Sequence, residues 1–371
     1  MKKILFIFGT RPEAIKMAPL VREFKNNPKD FNVSVGITGQ HREMLDQVLS
    51  FFKIKPDYDL NLMKPGQTLF DITADGLRGC EKIIEKSKPD LVVVQGDTST
   101  ALVGALAAFY KKIKVVHVEA GLRTNDKYSP FPEEINRALI SRLADYHFTP
   151  TRASSENLKR EGITKNVFNV GNTVIDALKI GLKIIAKNKL NFEKEFKNIN
   201  FSKRNVLVTG HRRENFGQPL NNICEAFNKI ANEFPDCNLI YPVHLNPQLK
   251  KITKKILGKT KNIFLIEPLD YPRLIWLMEK SYLIITDSGG IQEEAPFLGK
   301  PVLVTRETTE RPEGIKAGTA KLVGHNKNKI FNETKKLLKS PSAYNRMSRA
   351  NNPYGNGDAS KKIFKILQKL K

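Results

Sequence analysis

The chain has 371 residues, 40% of them hydrophobic and 27% charged, with a formal net charge of +24 at pH 7. That length exceeds one typical core and predicts two domains of ordinary globular composition, large enough to need no covalent staples. The three cysteines, Cys80, Cys224 and Cys237, are far apart and form no CxxC pair, which argues for a reducing compartment and against a thiolate zinc site.

The N-terminal MKKILFIFGT carries an apolar run, Ile4 to Phe8, too short for the h-region of about 7–15 residues that a signal peptide needs. No window reaches the ~20 apolar residues of a membrane span. A soluble, cytoplasmic protein with no membrane partner is expected. The first strand, Lys3–Phe8, leads into a segment where Ala14, Met17, Val21 and Phe24 recur at helical period, with Pro12 suited to the first turn. Pro19 inside it predicts a kink or an early end. Arg11 and Lys16 flank this strand–helix junction, an anion-friendly position. The junction reads FGTRPEAIK rather than GxGxxG, and no GxxxxGK[ST] occurs, so dinucleotide and Walker-type sites are disfavoured.

Further strands are predicted at Val33–Ile37, Leu91–Gln95, Val115–Val118, Tyr146–Thr149 and Val167–Val170. Asp97 follows LVVVQG and Glu119 follows VVHV, both at strand ends, and Glu133 opens a helix over Pro132–Leu143. Each has a plainer reading. Asp97 can cap the helix begun by Thr98-Ser99-Thr100, Glu119 can pair with Arg123, and Glu133 can complement a helix dipole. A lysine- and asparagine-rich helical connector (186–204) follows. It and the tail (325–371) hold much of the positive charge, without clustered arginines or interleaved aromatics. This pattern predicts a solvated surface and no nucleic-acid partner, and it favours an anionic substrate.

The second half repeats the pattern, with strands at Asn205–Thr209, Leu239–Val243, Ile263–Ile266, Leu283–Thr286, Val302–Thr305 and Lys321–Val323. His211 follows NVLVTG and is either catalytic or a structural donor. Ser288-Gly289-Gly290 joins a strand to a helix. Glycines there let the backbone approach a phosphate, and the helix N-terminus favours an anion. Glu294, one turn beyond Gly290, can accept ribose hydroxyls, and Arg311 can cap a phosphate. The plainer alternatives are a simple strand-to-helix turn with surface glutamates and a surface arginine. Continuous apolar strands alternating with helices predict an α/β protein of two doubly wound, Rossmann-like domains facing a central cleft. They are expected at 1–170, with the carboxylates, and 171–371, with the nucleotide site. The last segment, Ala359 to Leu370, is amphipathic through Ile363, Ile366, Leu367 and Leu370 and can pack on either domain.

Converging carboxylates raise one another's pKa, so an acid and a base can coexist near neutral pH. A basic, water-poor pocket around a diphosphate favours its departure. Together these suit elimination and re-addition at a sugar carbon bearing a nucleotide diphosphate.

At these residues the chain resembles the non-hydrolysing UDP-N-acetylglucosamine 2-epimerases. The resemblance rests on GTRPEAIKMAPL (9–20), TGQHREMLDQVL (38–49), QGDTSTALVGA (95–105), HVEAGLRT (117–124), PFPEEINR (130–137), GNTVIDAL (171–178), TGHRREN (209–215), TDSGGIQEEAP (286–296), LGKPVLV (298–304) and TTERPEG (308–314). It implies a GT-B type fold, a homodimer, and no cofactor or metal. It also implies interconversion of UDP-N-acetylglucosamine and UDP-N-acetylmannosamine through a 2-acetamidoglucal intermediate. By motif, Asp97, Glu119, Glu133 and His211 match catalytic residues. Arg11, Lys16, Ser288, Gly289, Gly290, Glu294 and Arg311 match UDP-sugar contacts. Leu269 and Leu274 match the uracil-proximal positions, Leu274 standing where an aromatic is common. Some members carry a second, allosteric substrate site on the TGQHR segment. Gln40 and His41 are present here, while Glu43 and Gly66 replace a glutamine and an arginine. The hydrolysing 2-epimerases and UDP-sugar glycosyltransferases share the fold, and PEAIKMAPL fits the non-hydrolysing branch better.

Overall fold

The structure is a computed structural model and describes every residue except Gln40, His41, Pro65, Lys197, His211, Arg213, Glu214, Phe216 and Lys371. The expectations for His211, Gln40 and His41 therefore lie outside the described residues. The chain forms two compact units, Met1–Ile180 with Tyr354–Lys371, and Gly181–Pro353.

The first unit runs β1 (Lys2–Phe8), α1 (Arg11–Lys25), β2 (Phe31–Ile37), α2 (Arg42–Phe52), β3 (Tyr58–Asp59), α3 (Leu69–Ser87), β4 (Leu91–Gln95), α4 (Ser99–Tyr110), β5 (Lys114–Val118), α5 (Glu133–Leu143), β6 (Tyr146–Thr149), α6 (Arg152–Arg160), β7 (Val167–Asn169) and the first half of α7 (Thr173–Lys187), whose remainder belongs to the second unit. Its strands lie in the order β3-β2-β1-β4-β5-β6-β7, all paired in parallel. β4 is buried at every residue, as a strand covered on both faces must be. Leu5, Ile7, Val92 and Val94 pack against Cys80 and Ile83 of α3 and Ala101 and Ala105 of α4.

Two sequence expectations change here. β3 has only two residues and no alternation to announce it. It forms because Tyr58 and Asp59 pair with Gly36 and Ile37 at the sheet edge. α1 does not end at Pro19 but continues to Lys25. A proline in a helix interior costs about 3 kcal/mol. Beyond it, Leu20, Val21 and Phe24 are fully buried, and burying such side chains returns about 1.5–3 kcal/mol each.

The second unit runs β8 (Arg204–Thr209), α8 (Gln218–Glu233), β9 (Cys237–Pro242), α9 (Pro247–Leu257), β10 (Ile263–Ile266), α10 (Tyr271–Lys280), β11 (Leu283–Thr286), α11 (Gly289–Phe297), β12 (Val302–Val304), α12 (Pro312–Ala317), β13 (Ala320–Leu322), α13 (Lys327–Lys339) and α14 (Pro341–Ser348). Its parallel sheet has the order β10-β9-β8-β11-β12-β13. Val206, Val208, Leu239 and Ile285 form its core with Ile223, Phe227 and Ile230 of α8. α15 (Ala359–Gln368) belongs to the first unit, where Phe364 packs edge-on against Phe24 at 5.1 Å. Among the described residues, no helix is long and apolar enough to cross a membrane.

In each sheet the chain reverses its direction of strand addition once, between β1 and β4 and between β8 and β11. The carboxyl ends of strands flanking such a reversal are where open α/β sheets bind ligands.

Candidate active site

In the first unit, the ends of β1, β4 and β5 converge on Glu119. This residue follows β5 directly and adopts φ +63°, a left-handed backbone that a non-glycine residue rarely takes. Such strain, of order 1–3 kcal/mol, tends to occur at functional sites. The carboxylate is buried. Both its oxygens accept from Lys16 Nζ, at 2.6 and 2.7 Å, and it also accepts from Gln95 Nε2 and, at 3.3 Å, from Asn172 Nδ2. Every one of these partners donates. Arg123 is not the partner of Glu119: it makes a two-point contact with Glu161 at 2.6 and 2.8 Å.

Asp97 follows β4 and does not cap α4, since Thr98 takes that place by accepting the Ala101 N–H at 3.0 Å. The Asp97 carboxylate pairs instead with Arg137 of α5 at 2.5 Å. Burial pushes its pKa above the ordinary carboxylate range, and the charge of Glu119 adds to that shift, while Arg137 and Lys16 oppose it. Arg137 also reaches Glu134 at 3.2 Å, and Glu134 accepts the N–H groups of Thr124 and Asn125 at 2.9 Å each. Glu133 is half-buried at the start of the same helix.

Glu13 joins β1 to β4. It closes a capping box with Thr10, accepts the Gly9 and Thr10 N–H groups at 3.0 and 2.8 Å, and takes the Thr98 hydroxyl at 2.6 Å. Arg11 is the first residue of α1 and half-buried. Behind Glu119, His117 donates through Nε2 to Gly96 O at 2.8 Å. Burial pulls its pKa from 6.5 to about 3, and that of His147, its neighbour in register on β6, to about 4.

In the second unit, Ser288 is the N-cap of α11, and Gly289 and Gly290 begin its first turn. The first-turn N–H groups of a helix lack intrahelical acceptors, which makes this a cradle for an anion. The Ser288 N–H itself donates to Thr286 Oγ1 at 2.9 Å. A methyl built on Gly289 would lie 3.8 Å from Arg311 Nη2 and 4.0 Å from Arg212 Nη2. Two guanidinium groups therefore flank the turn. Arg311 binds buried Glu293 through Nε, and Arg212 reaches Glu310 at 3.5 Å. Burial alone would raise the pKa of Glu310, but Arg306, Arg212 and Arg311 take it down to about 2. Beneath them, buried Asp287 accepts the Arg212 N–H and Asn215 Nδ2 at 2.9 Å each.

Glu294 is buried and accepts the Tyr271 hydroxyl at 3.0 Å. Leu269, after β10, lines an open groove of about 1010 Å³ with Ile266, Pro268 and Arg273. Leu274 is half-buried in α10.

The structure thus gathers Lys16, Asp97 and Glu119 in one unit and Ser288, Gly289, Gly290, Glu294 and Arg311 in the other. Gln95, Arg137, Asn172, Arg212 and Tyr271 were not anticipated. Four of them sit inside motifs that the sequence already displays, QGDTST, PFPEEINR, GNTVIDAL and TGHRREN, and that placement was the available signal. Among the described residues, no group of three or more His, Cys, Asp or Glu side chains is placed to hold a metal ion.

A family model described as UDP-N-acetylglucosamine 2-epimerase matches residues 22–368. The UDP-N-acetylglucosamine 2-epimerase of Campylobacter jejuni is 55% identical over 379 residues, covering 100% of this chain and 98% of that protein. The Escherichia coli K12 protein of the same name is 53% identical over 370 residues, covering 99% and 98%. The crystal structure of UDP-GlcNAc 2-epimerase from Neisseria meningitidis bound to UDP-GlcNAc is similar at a TM-score of 0.92, with 48% identity and coverage of 99% and 100%. Sequence motifs, strand order and whole-length similarity agree: the chain belongs to the UDP-N-acetylglucosamine 2-epimerase family.

Proposed function

We propose that this chain interconverts UDP-N-acetylglucosamine and UDP-N-acetylmannosamine without net hydrolysis, Asp97 and Glu119 carrying the proton transfers and the α11 turn holding the diphosphate. The observation that carries this reading is the Glu119 site: a strained, buried carboxylate among donors, beside a second carboxyl whose pKa is raised. Environments that push two carboxyl groups apart supply an acid and a base at one pH. Family membership and the UDP-GlcNAc-bound relative support the substrate.

In the proposed reaction, a carboxylate removes the C2 proton and the C1–oxygen bond breaks. UDP leaves with the bonding electrons, and a C1=C2 double bond forms. The reverse step returns UDP to C1 while a carboxylic acid delivers a proton to the other face of C2. Glu119, approached only by donors among its named partners, fits the accepting role, and Asp97, with its raised pKa, fits the donating one. No oxidant or reductant enters this balance. Ser288, Gly289, Gly290, Arg311 and Arg212 are assigned to the diphosphate, Glu294 to the ribose, and Leu269 and Leu274 to the base. Arg11, Glu133 and His211 keep the roles that their motifs imply.

The chain is further proposed to act as a cytoplasmic homodimer. Ile135 and Leu139, exposed one turn apart on α5, supply an apolar face that a second copy would cover. The burial of all three cysteines as free thiols accords with a reducing compartment.

Incubation with UDP-N-acetylglucosamine in D₂O, followed by proton NMR, tests the reaction. Deuterium at C2 together with UDP-N-acetylmannosamine is expected. Stoichiometric free UDP would replace this reading with the hydrolysing one, and no change without an acceptor would replace it with glycosyl transfer.

A further inference from the structure

Asn172 lies between β7 and α7 and is buried. Its amide orientation is fixed, because Oδ1 accepts the Val174 N–H at 3.0 Å. That leaves Nδ2 to face Glu119 Oε1 at 3.3 Å as a donor. The backbone of Asn172 is fixed as well: its N–H donates to Tyr354 O at 2.8 Å. Gly171, at φ +94°, a backbone conformation that disfavours a side chain, packs tightly on the same segment: a methyl there would lie 3.1 Å from Tyr354 O and 3.5 Å from Gly355 Cα.

One turn into α7, buried Asp176 accepts the N–H groups of Ala359 and Ser360, at 3.2 and 2.9 Å, at the start of α15. α15 is then held on α1 through Phe364 and Phe24. The C-terminal segment, more than 170 residues away in sequence, thus clamps the start of α7 at both Asn172 and Asp176.

We propose that Asn172, held in place by the Tyr354–Ser360 segment, is a positioning residue for the Glu119 carboxylate. This rests on the proposed role of Glu119 as the proton acceptor. Lys16 supplies the charge opposite Glu119, but a lysine ammonium is a mobile point charge and sets no direction. Gln95 approaches one oxygen from β4 and Asn172 the other from the β7–α7 junction. Two directed donors from two elements define the plane of the carboxylate and leave it aimed toward its substrate. Asp97, which feels the charge of Glu119, and His117 behind it are the other titratable groups coupled to Glu119.

The test compares the full-length wild type with Asn172→Asp. Aspartate keeps an oxygen for the Val174 N–H but replaces the donor facing Glu119 with an acceptor. The chain is labelled with carboxyl-¹³C glutamate, and Glu119→Gln assigns the Glu119 resonance. The Glu119 titration midpoint should rise by about one pH unit or more in Asn172→Asp. The kcat for C2 exchange near neutral pH should fall by about 100-fold with KM within about twofold, and the acid limb of its pH profile should move up together with the Glu119 midpoint. An unshifted midpoint with wild-type kcat would overturn the proposal. A wild type inactive toward UDP-N-acetylglucosamine, together with a shifted midpoint, would remove the proposed reaction and leave the positioning of Glu119 by Asn172 supported. If Asn172→Asp does not fold, Asn172→Ala serves instead: a raised midpoint with reduced kcat supports the role, and wild-type values of both overturn it.

Discussion

The two strand-end sites solve opposite electrostatic problems on the same sheet plan. In the first unit, the buried carboxylate of Glu119 follows β5 and the half-buried one of Asp97 lies beyond β4, and the surroundings supply donors to them: Lys16, Gln95, Asn172 and Arg137. In the second, the α11 turn offers N–H groups and is flanked by two guanidinium groups, which are anchored by buried Glu293 and half-buried Glu310. The first region is crowded and strained, with Glu119 at φ +63° and Gly121 packed so closely on Ser154 O that a methyl would lie 2.2 Å from it. The second is open, with nothing closer than 3.8 Å to a methyl on Gly289. A site for proton transfer needs fixed geometry, whereas a site for a diphosphate needs empty space lined with donors.

That contrast can be broken most severely at Glu119. Glu119→Gln keeps the shape and removes the proposed base, so C2 deuterium exchange should fall by about 10²–10⁴-fold. UDP affinity, measured by calorimetry, should stay near the wild-type value. Loss of UDP binding instead would mean that the two regions do not divide the work in this way.

Glycines in the two regions should respond differently. A methyl on Gly121 would lie 2.2 Å from Ser154 O, at a backbone angle that alanine avoids. Gly121→Ala should therefore cost about 3 kcal/mol or more in urea unfolding. Gly289→Ala meets only ordinary contacts and should leave stability unchanged. It should weaken UDP binding by about 10-fold or more, because the methyl sits between the two guanidinium groups. Equal stability losses from both substitutions would contradict the distinction.

The last contrast is a difference in acid sensitivity. His117 and His147 of the first unit are neutral in the fold, with pKa values of about 3 and about 4 against an ordinary 6.5. The unfolded chain binds their protons first, so this stability is present above pH 6.5 and is lost as pH falls toward 4 and then 3. Each histidine contributes a slope of up to about 1.4 kcal/mol per pH unit in that window. Glu13, Asp97 and Asp176, whose pKa values are raised chiefly by burial, take up protons earlier in the fold and oppose the trend. The double substitution His117→Gln, His147→Gln isolates the histidines and should flatten the stability curve between pH 6.5 and 4. In the second unit, Glu310 has a pKa lowered from 4.5 to about 2, and its contribution is lost only below pH 4.5. Hydrogen exchange at pH 7 and pH 5 should show opening concentrated in the first unit, and uniform opening would refute the assignment.

Much of this was legible in the order of residues. LVVVQ, KVVHV and LIIT are continuous apolar runs because parallel strands bury both faces, and Thr10-Arg11-Pro12-Glu13 carries its helix start in its own hydrogen bonds. The candidate chemical groups at strand ends could be named for the same reason, since a polar residue just beyond a continuous apolar run is a local pattern. Tyr58–Asp59 was not legible because its pairing energy comes from β2, and the continuation of α1 past Pro19 was not because it depends on what the far half of the helix buries.

The chain alone thus determined the elements, the turns and the residue types at their ends, because those depend on interactions spanning a few residues. Only the folded molecule decided which groups meet: Lys16 with Glu119, Arg137 with Asp97, and Asn172 under the returning C-terminal segment. These contacts follow from strand order and helix crossovers, which bring together positions up to about half the chain apart and leave no periodic trace in the sequence.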